Sequence, residues 1–233
     1  MSDPREPDAV AERYARRSIA AMSDRYTVLR PDVWQTLQER QRALIALFAR
    51  IGWTDLSDKR LLEVGCGGGA NLLELLRLGF APEHLIGAEL LPERHAQARR
   101  TLPAELALHA GDASRLDLPA ASQDAVFVST VFSSLLDDAF QQRLADAMWR
   151  WVAPGGGVLW DDFTVDNPRN ADVRGVPLRR VRELFPRGDV QARRITLAPP
   201  IARAVTRVHP SLYTLFNALA PLRTHLLAWV VKR

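Results

Sequence analysis

From Arg60 onward, short apolar runs alternate with stretches of helical spacing, and this alternation is the strongest structural signal in the chain. RLLEVGCG (60–67) is an apolar run that ends in glycines, and HLIGAEL (84–90), ELALHAGDA (105–113), DAVFVSTV (124–131) and GVLWDDF (157–163) read as further strands. Between them NLLELLRLGF (71–80), PERHAQARRTL (92–102) and DDAFQQRLADAMWRWV (137–152) have helical spacing; Pro92 suits a first helical turn, and APGGG closes the third helix. Strands alternating with helices predict an α/β fold, a parallel sheet with helices on both faces.

Ahead of this core, residues 8–22 and 32–51 read as helices; Leu37, Leu44, Leu47 and Phe48 share one face of the second, which Gly52 stops. Residues 1–59 form a helical cap on this reading, and 60–163 form the core. The remainder, 164–233, belongs to the same domain: a loop (164–176), a helix (177–185) and a strand (191–198). Residues 199–222, with four prolines, read as short apolar helices inserted before a last strand near 225–232, a candidate lid over a substrate pocket.

Composition narrows the class. With 233 residues, 47% hydrophobic and 25% charged, the chain has the makings of a globular protein with a sizeable core. No stretch of eighteen apolar residues is free of charge, so no spanning helix is expected. The opening MSDPREPDAVAERYARRS lacks the apolar segment of a secretory signal. Cys66 is the only cysteine, which excludes an intramolecular disulfide and a multi-cysteine metal site; no metal is expected, and the protein reads as intracellular, in the cytoplasm. A net charge of +4 and a pI near 9.8 invite a nucleic-acid partner. The arginines are scattered, however, and Lys59 and Lys232 are the only lysines, so most of the charge reads as solvated surface and no nucleic-acid partner is expected.

The chemistry gathers at strand ends, where open α/β sheets bind ligands. Gly65-Cys66-Gly67-Gly68-Gly69 is a glycine-rich turn feeding a helix, and glycine there lets the backbone bend and approach a ligand. With Ala70 the run also reads as G-x-G-x-x-A, the dinucleotide-binding pattern. Glu89, 24 residues beyond Gly65 at the end of the second strand, suits a ribose diol in either case. Two acids separate the readings. Glu63 sits inside the first strand, where a carboxylate can face a cationic amino acid moiety but has no role beside a pyrophosphate. Asp112, in Gly111-Asp112-Ala113 after the third strand, stands where an exocyclic adenine amine can donate to it.

LLEVGCGGGANLLELL, GAELLPER, GDASRLDLP, DAVFVSTVFSSLLD and WVAPGGGVLWDDF resemble the successive motifs of class I S-adenosylmethionine (SAM)-dependent methyltransferases over roughly residues 60 to 163. The resemblance implies a Rossmann-like, seven-stranded, mostly parallel sheet of order 3-2-1-4-5-7-6, with SAM as cofactor. It implies that Glu63, Gly65, Gly67 and Gly69 hold the methionine part and Glu89 the ribose hydroxyls. Leu90 would pack on the adenine, Asp112 and Ala113 would meet its amine edge, and Thr130 would join the cofactor-binding set. Where many small-molecule members carry an N-x-x-H-H-type run, this chain has Ser129-Thr130-Val131-Phe132-Ser133-Ser134. That leaves Phe132 as a wall for the sulfonium and removes the familiar histidine base. The flanking segments are similar to methyltransferases of bacterial polysaccharide and glycan biosynthesis, which ranks a small-molecule or sugar acceptor first and suggests carbohydrate biosynthesis.

Asp161 and Asp162, after the fifth strand, are the candidate acids to orient or deprotonate an acceptor hydroxyl; strand alternation lets at most one face the pocket, and both can equally be capping acids. Arg169 and Arg174 are candidates to bind an anionic acceptor, and His209 and His225 are titratable groups in the last third. The apolar run from Leu212 to Leu222 with Trp229 can cover a hydrophobic acceptor, touch a membrane surface or simply pack. O-methylation is the leading function. An NAD(P)-dependent oxidoreductase, an RNA methyltransferase and a non-catalytic SAM-binding subunit are the alternatives, and the oligomeric state is left open.

Overall fold

The computed structural model describes residues 5–16, 27–168 and 170–233. Helices α1 (Arg5–Ala15) and α2 (Pro31–Arg50) precede β1 (Leu61–Val64), α3 (Ala70–Leu78), β2 (Leu85–Glu89), α4 (Pro92–Thr101), β3 (Ala107–Ala110) and β4 (Gln123–Ser129). Then come α5 (Asp138–Trp151), β5 (Val152–Phe163), α6 (Leu178–Leu184), β6 (Asp189–Leu197), α7 (Pro199–Val208), α8 (Leu212–Asn217) and β7 (Arg223–Val231). The described residues form a seven-stranded sheet of order β3-β2-β1-β4-β5-β7-β6, the expected one. Only β7 runs against its neighbours, so β6 is again parallel to the central strands.

Local chemistry sets the boundaries. Gly69 and Gly79 bracket α3 with φ of 90° and 114°, a backbone that L side chains resist. Pro31 and Pro92 occupy the first turns of α2 and α4, where a missing N–H costs nothing. Asp137 caps α5, its Oδ1 accepting from the Phe140 N–H at 2.7 Å. The continuation of the first predicted helix from 17 to 22 lies outside the described residues.

One boundary differs from the sequence reading. APGGG does not form a free turn after α5. It is absorbed into β5, where the Gly155 N–H donates to the Lys232 carbonyl at 2.7 Å and the pairing with β4 shifts register between Gln123 and Ala125. Only glycine fits this seam, because a Cβ on Gly156 would lie 2.5 Å from the Asp124 carbonyl oxygen and one on Gly157 2.6 Å from the Trp229 ring.

The core lies on both faces of the sheet. One face packs Leu62, Val64, Val126, Val128 and Trp160 against α5 and α6, with Val10 of α1 at its margin. The other packs Leu61, Leu85, Phe127, Leu159 and Leu227 against α2, α3 and α4. Alternation along each strand therefore commits Glu63, Ser129 and Asp161 to the α2–α3 face and Asp162 to the opposite one. The predicted lid, 199–222, forms α7 and α8, which pack on α2 and the end of β6 over a small core of Leu197, Ala202 and Tyr213.

Candidate active site

At the carboxyl ends of β1 to β4 the backbone turns away and leaves a cleft open to solvent. Gly65, Glu89, Leu90, Asp112, Ala113 and Thr130, all singled out from the sequence, line it. Gly65, Gly67 and Gly69 have φ of 70°, 57° and 90°, so the loop needs glycine for its conformation alone. Gly65 needs it for space as well: a Cβ there would stand 2.5 Å from Val131 Cγ2.

Glu89 does more than face the cleft. Its Oε2 accepts from the Gly67 N–H at 2.7 Å and its Oε1 from the Leu91 N–H at 2.8 Å, so one carboxylate pins the glycine loop to the turn after β2. Asp112 Oδ1 accepts from the Ser114 N–H at 2.9 Å, which fixes the corresponding turn after β3. Thr130, a non-glycine at φ 53°, is held there by its N–H to the Asp161 carbonyl and its hydroxyl to the Ser129 carbonyl, each 2.8 Å. Strain of this kind persists only where neighbours over-determine it.

Helix α1 closes the outer side of the cleft with Pro7, Val10 and Tyr14. It is fastened to the segment after β4. Glu6 accepts from the Leu136 N–H at 2.7 Å and from Arg13 at 2.6 Å, and Arg13 also reaches the Ser134 carbonyl at 3.1 Å. The Arg94 guanidinium, from α4, stacks 4.6 Å from the Tyr14 ring centroid and completes the closure.

Beneath the glycine loop lies a buried charged cluster. Asn71 donates to Glu63 Oε1 at 2.6 Å. Arg40, from the middle of α2, donates to Asn71 Oδ1 at 2.6 Å and to Glu74 Oε2 at 2.8 Å, and it stands 3.6 Å from Asp161 Oδ2. Ser129 donates to the same Asp161 oxygen at 3.4 Å. Burial works against the Arg40 charge, but Asp161 and Glu74 more than offset it and hold the guanidinium above its ordinary pKa. Burial pushes Glu63 up to about 8, against the pull of Asn71 and Arg40. Glu63 Oε2, Glu74 Oε1 and Asp161 Oδ1 are buried without a hydrogen-bond partner. Three carboxyl groups share one guanidinium, so the cluster lacks a cation, and an ammonium-bearing ligand fits that deficit. Among the described residues no three His, Cys, Asp or Glu side chains are grouped to hold a metal ion.

Several candidates from the sequence lie elsewhere. Phe132 is fully buried in the core, 4.7 Å from the Trp160 ring, so it does not wall the cleft; the turn Phe132–Ser134 directs it inward. Asp162 is buried on the far face, where its Oδ2 accepts from the Ser133 N–H at 3.0 Å and its Oδ1 from the Phe163 N–H at 2.9 Å. Burial raises its pKa to about 7 despite those bonds. Arg174 pairs with Asp138 at the start of α5. His209 ends α7 exposed to solvent, its Nδ1 accepting from the Ser211 N–H at 3.2 Å as a turn residue. None of these lines the cleft, and neither does any residue of 199–222. Arg169 lies outside the described residues. Cys66 is buried beside the loop, and burial pushes its thiol pKa up, as befits an inert filler.

Sequence reading missed Arg40, Asn71, Glu74 and Tyr14. A signal for Arg40 exists: it falls between Leu37 and Leu44 on the apolar face of α2, a place for an arginine only if it has buried partners.

The family model described as "Methyltransferase domain" matches residues 61–156. No curated protein sequence matches the chain. Among solved structures, a SAM-dependent methyltransferase from Thermotoga maritima is similar with a TM-score of 0.64 at 14% identity, covering 96% of this chain and 100% of that one. One from Mesorhizobium loti gives 0.59 at 17% identity, covering 81% and 95%. Haemonchus contortus phosphoethanolamine N-methyltransferase 2, in complex with S-adenosyl-L-methionine, gives 0.58 at 16%, covering 82% of this chain and 53% of that one. At these identities the likeness is one of fold.

Proposed function

We propose that the chain, whose residues 61–156 match the methyltransferase-domain family, is a class I SAM-dependent methyltransferase and that the cleft between Gly65 and Thr130 holds SAM for O-methylation of a small-molecule or sugar acceptor. The observation that carries the cofactor placement is the cation-deficient cluster under the glycine loop. The methionine ammonium belongs against Glu63 Oε2, the buried carboxylate oxygen without a partner. The ribose belongs at Glu89 and the adenine between Leu90 and the Asp112-Ala113 turn. Helix α1 then covers the nucleoside, with Tyr14 and Arg94 as its outer wall. A dinucleotide fits poorly, because a pyrophosphate would meet carboxylates where it needs donors. Titration calorimetry separates the two: SAM and S-adenosylhomocysteine bind and NAD does not, and tight NAD binding without SAM binding would sink this reading.

The sulfonium activates its own methyl group, so the protein has to align an acceptor oxygen and take its proton. Asp161 is the better placed of the two β5 acids. It stands at the carboxyl edge on the α2–α3 face beside Ser129, a cleft residue, and its Oδ1 has no partner. His225, on the same face of β7, has its pKa lowered by burial, with the Asp161 charge opposing; the imidazole is neutral at pH 7. We assign Asp161 as the group that orients and deprotonates the acceptor hydroxyl and Asp162 as a structural acid. Asp161→Asn then lowers kcat about 100- to 1,000-fold while leaving S-adenosylhomocysteine affinity within about threefold. Asp162→Asn leaves kcat near wild type and lowers stability by about 1–3 kcal/mol, because its single amide oxygen can accept from only one of the Ser133 and Phe163 N–H groups. Single-turnover assays on a panel of sugar hydroxyls and small hydroxy acids read the first effect and thermal melts the second. Full turnover in both variants removes the general-base role. A glycan acceptor, and with it a place in carbohydrate biosynthesis in the cytoplasm, is the acceptor class to test first.

A further inference from the structure

The net charge of the chain is not spread along it. Residues 190–233 hold seven Arg and Lys and no Asp or Glu, whereas the whole chain has 31 basic and 27 acidic residues. The 189 residues before that segment are therefore slightly acidic, and the basic excess of the chain lies in residues 190–233. Among the described residues no ion pair engages Arg193, Arg194, Arg203 or Arg207. The same segment exposes Val208, Leu215 and Leu219 at 78%, 64% and 56% of their surface. Val208 and Leu215 sit on two short helices that follow the carboxyl end of β6, the edge of the sheet that carries the cleft, and Leu219 sits in the turn after them. Inward residues of the same helices, Ala202 and Tyr213, already fill the small core on β6. The outward aliphatics are thus not needed for folding.

We propose that the α7–α8 face docks on an anionic phospholipid surface, with Val208, Leu215 and Leu219 entering the interface and Arg203 and Arg207 among the headgroups. Exposed aliphatics in one segment with unpaired arginines and no acid of its own have the chemistry of an interfacial helix pair. A second copy of the chain is a poorer occupant, since a two-fold interface would set like-charged arginines against their own mates. Among the described residues no helix is long and apolar enough to cross a membrane, so the contact is peripheral. Docking in this orientation turns the carboxyl edge of the sheet toward the lipid and brings a lipid-borne acceptor within reach. The docking itself needs neither cofactor nor turnover, so it stands or falls independently of the methyl-transfer reading.

Flotation of the full chain with vesicles tests it. The protein floats with phosphatidylcholine–phosphatidylglycerol vesicles at low salt, stays behind with pure phosphatidylcholine, and is released as salt rises. Arg203→Gln with Arg207→Gln lowers the partition constant roughly 25-fold, about fivefold for each arginine. Leu215→Ser with Leu219→Ser lowers it about tenfold. Cys66 is buried, so an environment-sensitive fluorophore on Ser211→Cys reports the face directly in the otherwise native protein. Its emission shifts to the blue on the anionic vesicles, whereas the same label on Glu105→Cys, in the loop entering β3 at the opposite edge, does not shift. Absence of flotation at low salt overturns the proposal. So does self-association that the leucine variants abolish without any vesicle binding, which would make the face a subunit interface.

Discussion

Glu63→Gln weakens binding of SAM and S-adenosylhomocysteine roughly 100-fold and removes the pH dependence of that binding. The substitution keeps the shape and the acceptor oxygen for Asn71, so it isolates the charge. Its size follows from taking one partner out of a buried charge pair, about 2–5 kcal/mol. In the cofactor-free protein Glu63 holds a proton up to a pH of about 8, because burial raises its pKa from the ordinary 4.5. An ammonium against Oε2 favours the carboxylate, so binding expels that proton. Affinity then climbs with pH by up to about tenfold per unit and levels off near 8. The same proton sets the stability of the free chain. The folded state binds it between pH 4.5 and about 8 while the unfolded chain does not. Stability is therefore full below the unfolded pKa and falls as pH rises toward 8. Asp162, raised to about 7, slopes in the same direction. Glu63→Gln flattens its share of that slope and melts higher than wild type at pH 8, even as it loses the cofactor. Calorimetry at several pH values with parallel melts reads both halves. An affinity that is independent of pH in the wild type would put the ammonium somewhere else.

Arg40→Leu has the largest expected cost in stability. It leaves Glu74 and Asp161 buried without their counter-charge and withdraws the donor from Asn71 Oδ1. Stranding buried charge in this way costs about 3–5 kcal/mol. In a domain of this size that lowers Tm by roughly 6–20 °C. The loss is greatest near pH 8, where Glu63 also ionises, and smaller at lower pH, where Glu63 holds its proton. Arg40→Lys recovers only part of it, because one ammonium cannot reach Asn71, Glu74 and Asp161 at once. A Leu variant that melts within about 2 °C of wild type at pH 8 would mean that the cluster is solvated and the guanidinium dispensable.

The sequence by itself determined an α/β fold, because strands alternating with helices and a glycine turn after the first strand leave few arrangements, and the resemblance of its motifs to class I SAM-dependent methyltransferases implied the order of the sheet. It also placed Gly65, Glu89 and Asp112 on one cleft, since each stands at a strand end and strand ends converge at one edge, and the resemblance added Leu90, Ala113 and Thr130. Those signals are local: period, turn conformation and position relative to a strand end. It determined that Asp161 and Asp162 face opposite sides, but not which side is the useful one, because parity fixes a difference and packing fixes the sign. Only the tertiary structure brought Arg40 to Asn71 and Glu74, 31 and 34 residues away, and Glu6 to Leu136, 130 residues away. Only the tertiary structure turned Phe132 into the core and drew the glycines of APGGG into β5 against Trp229. Contacts of that kind depend on which helix covers which face, and that is settled by the whole core at once, through the volumes and buried charges that must fit together, rather than by any stretch of the chain read in isolation.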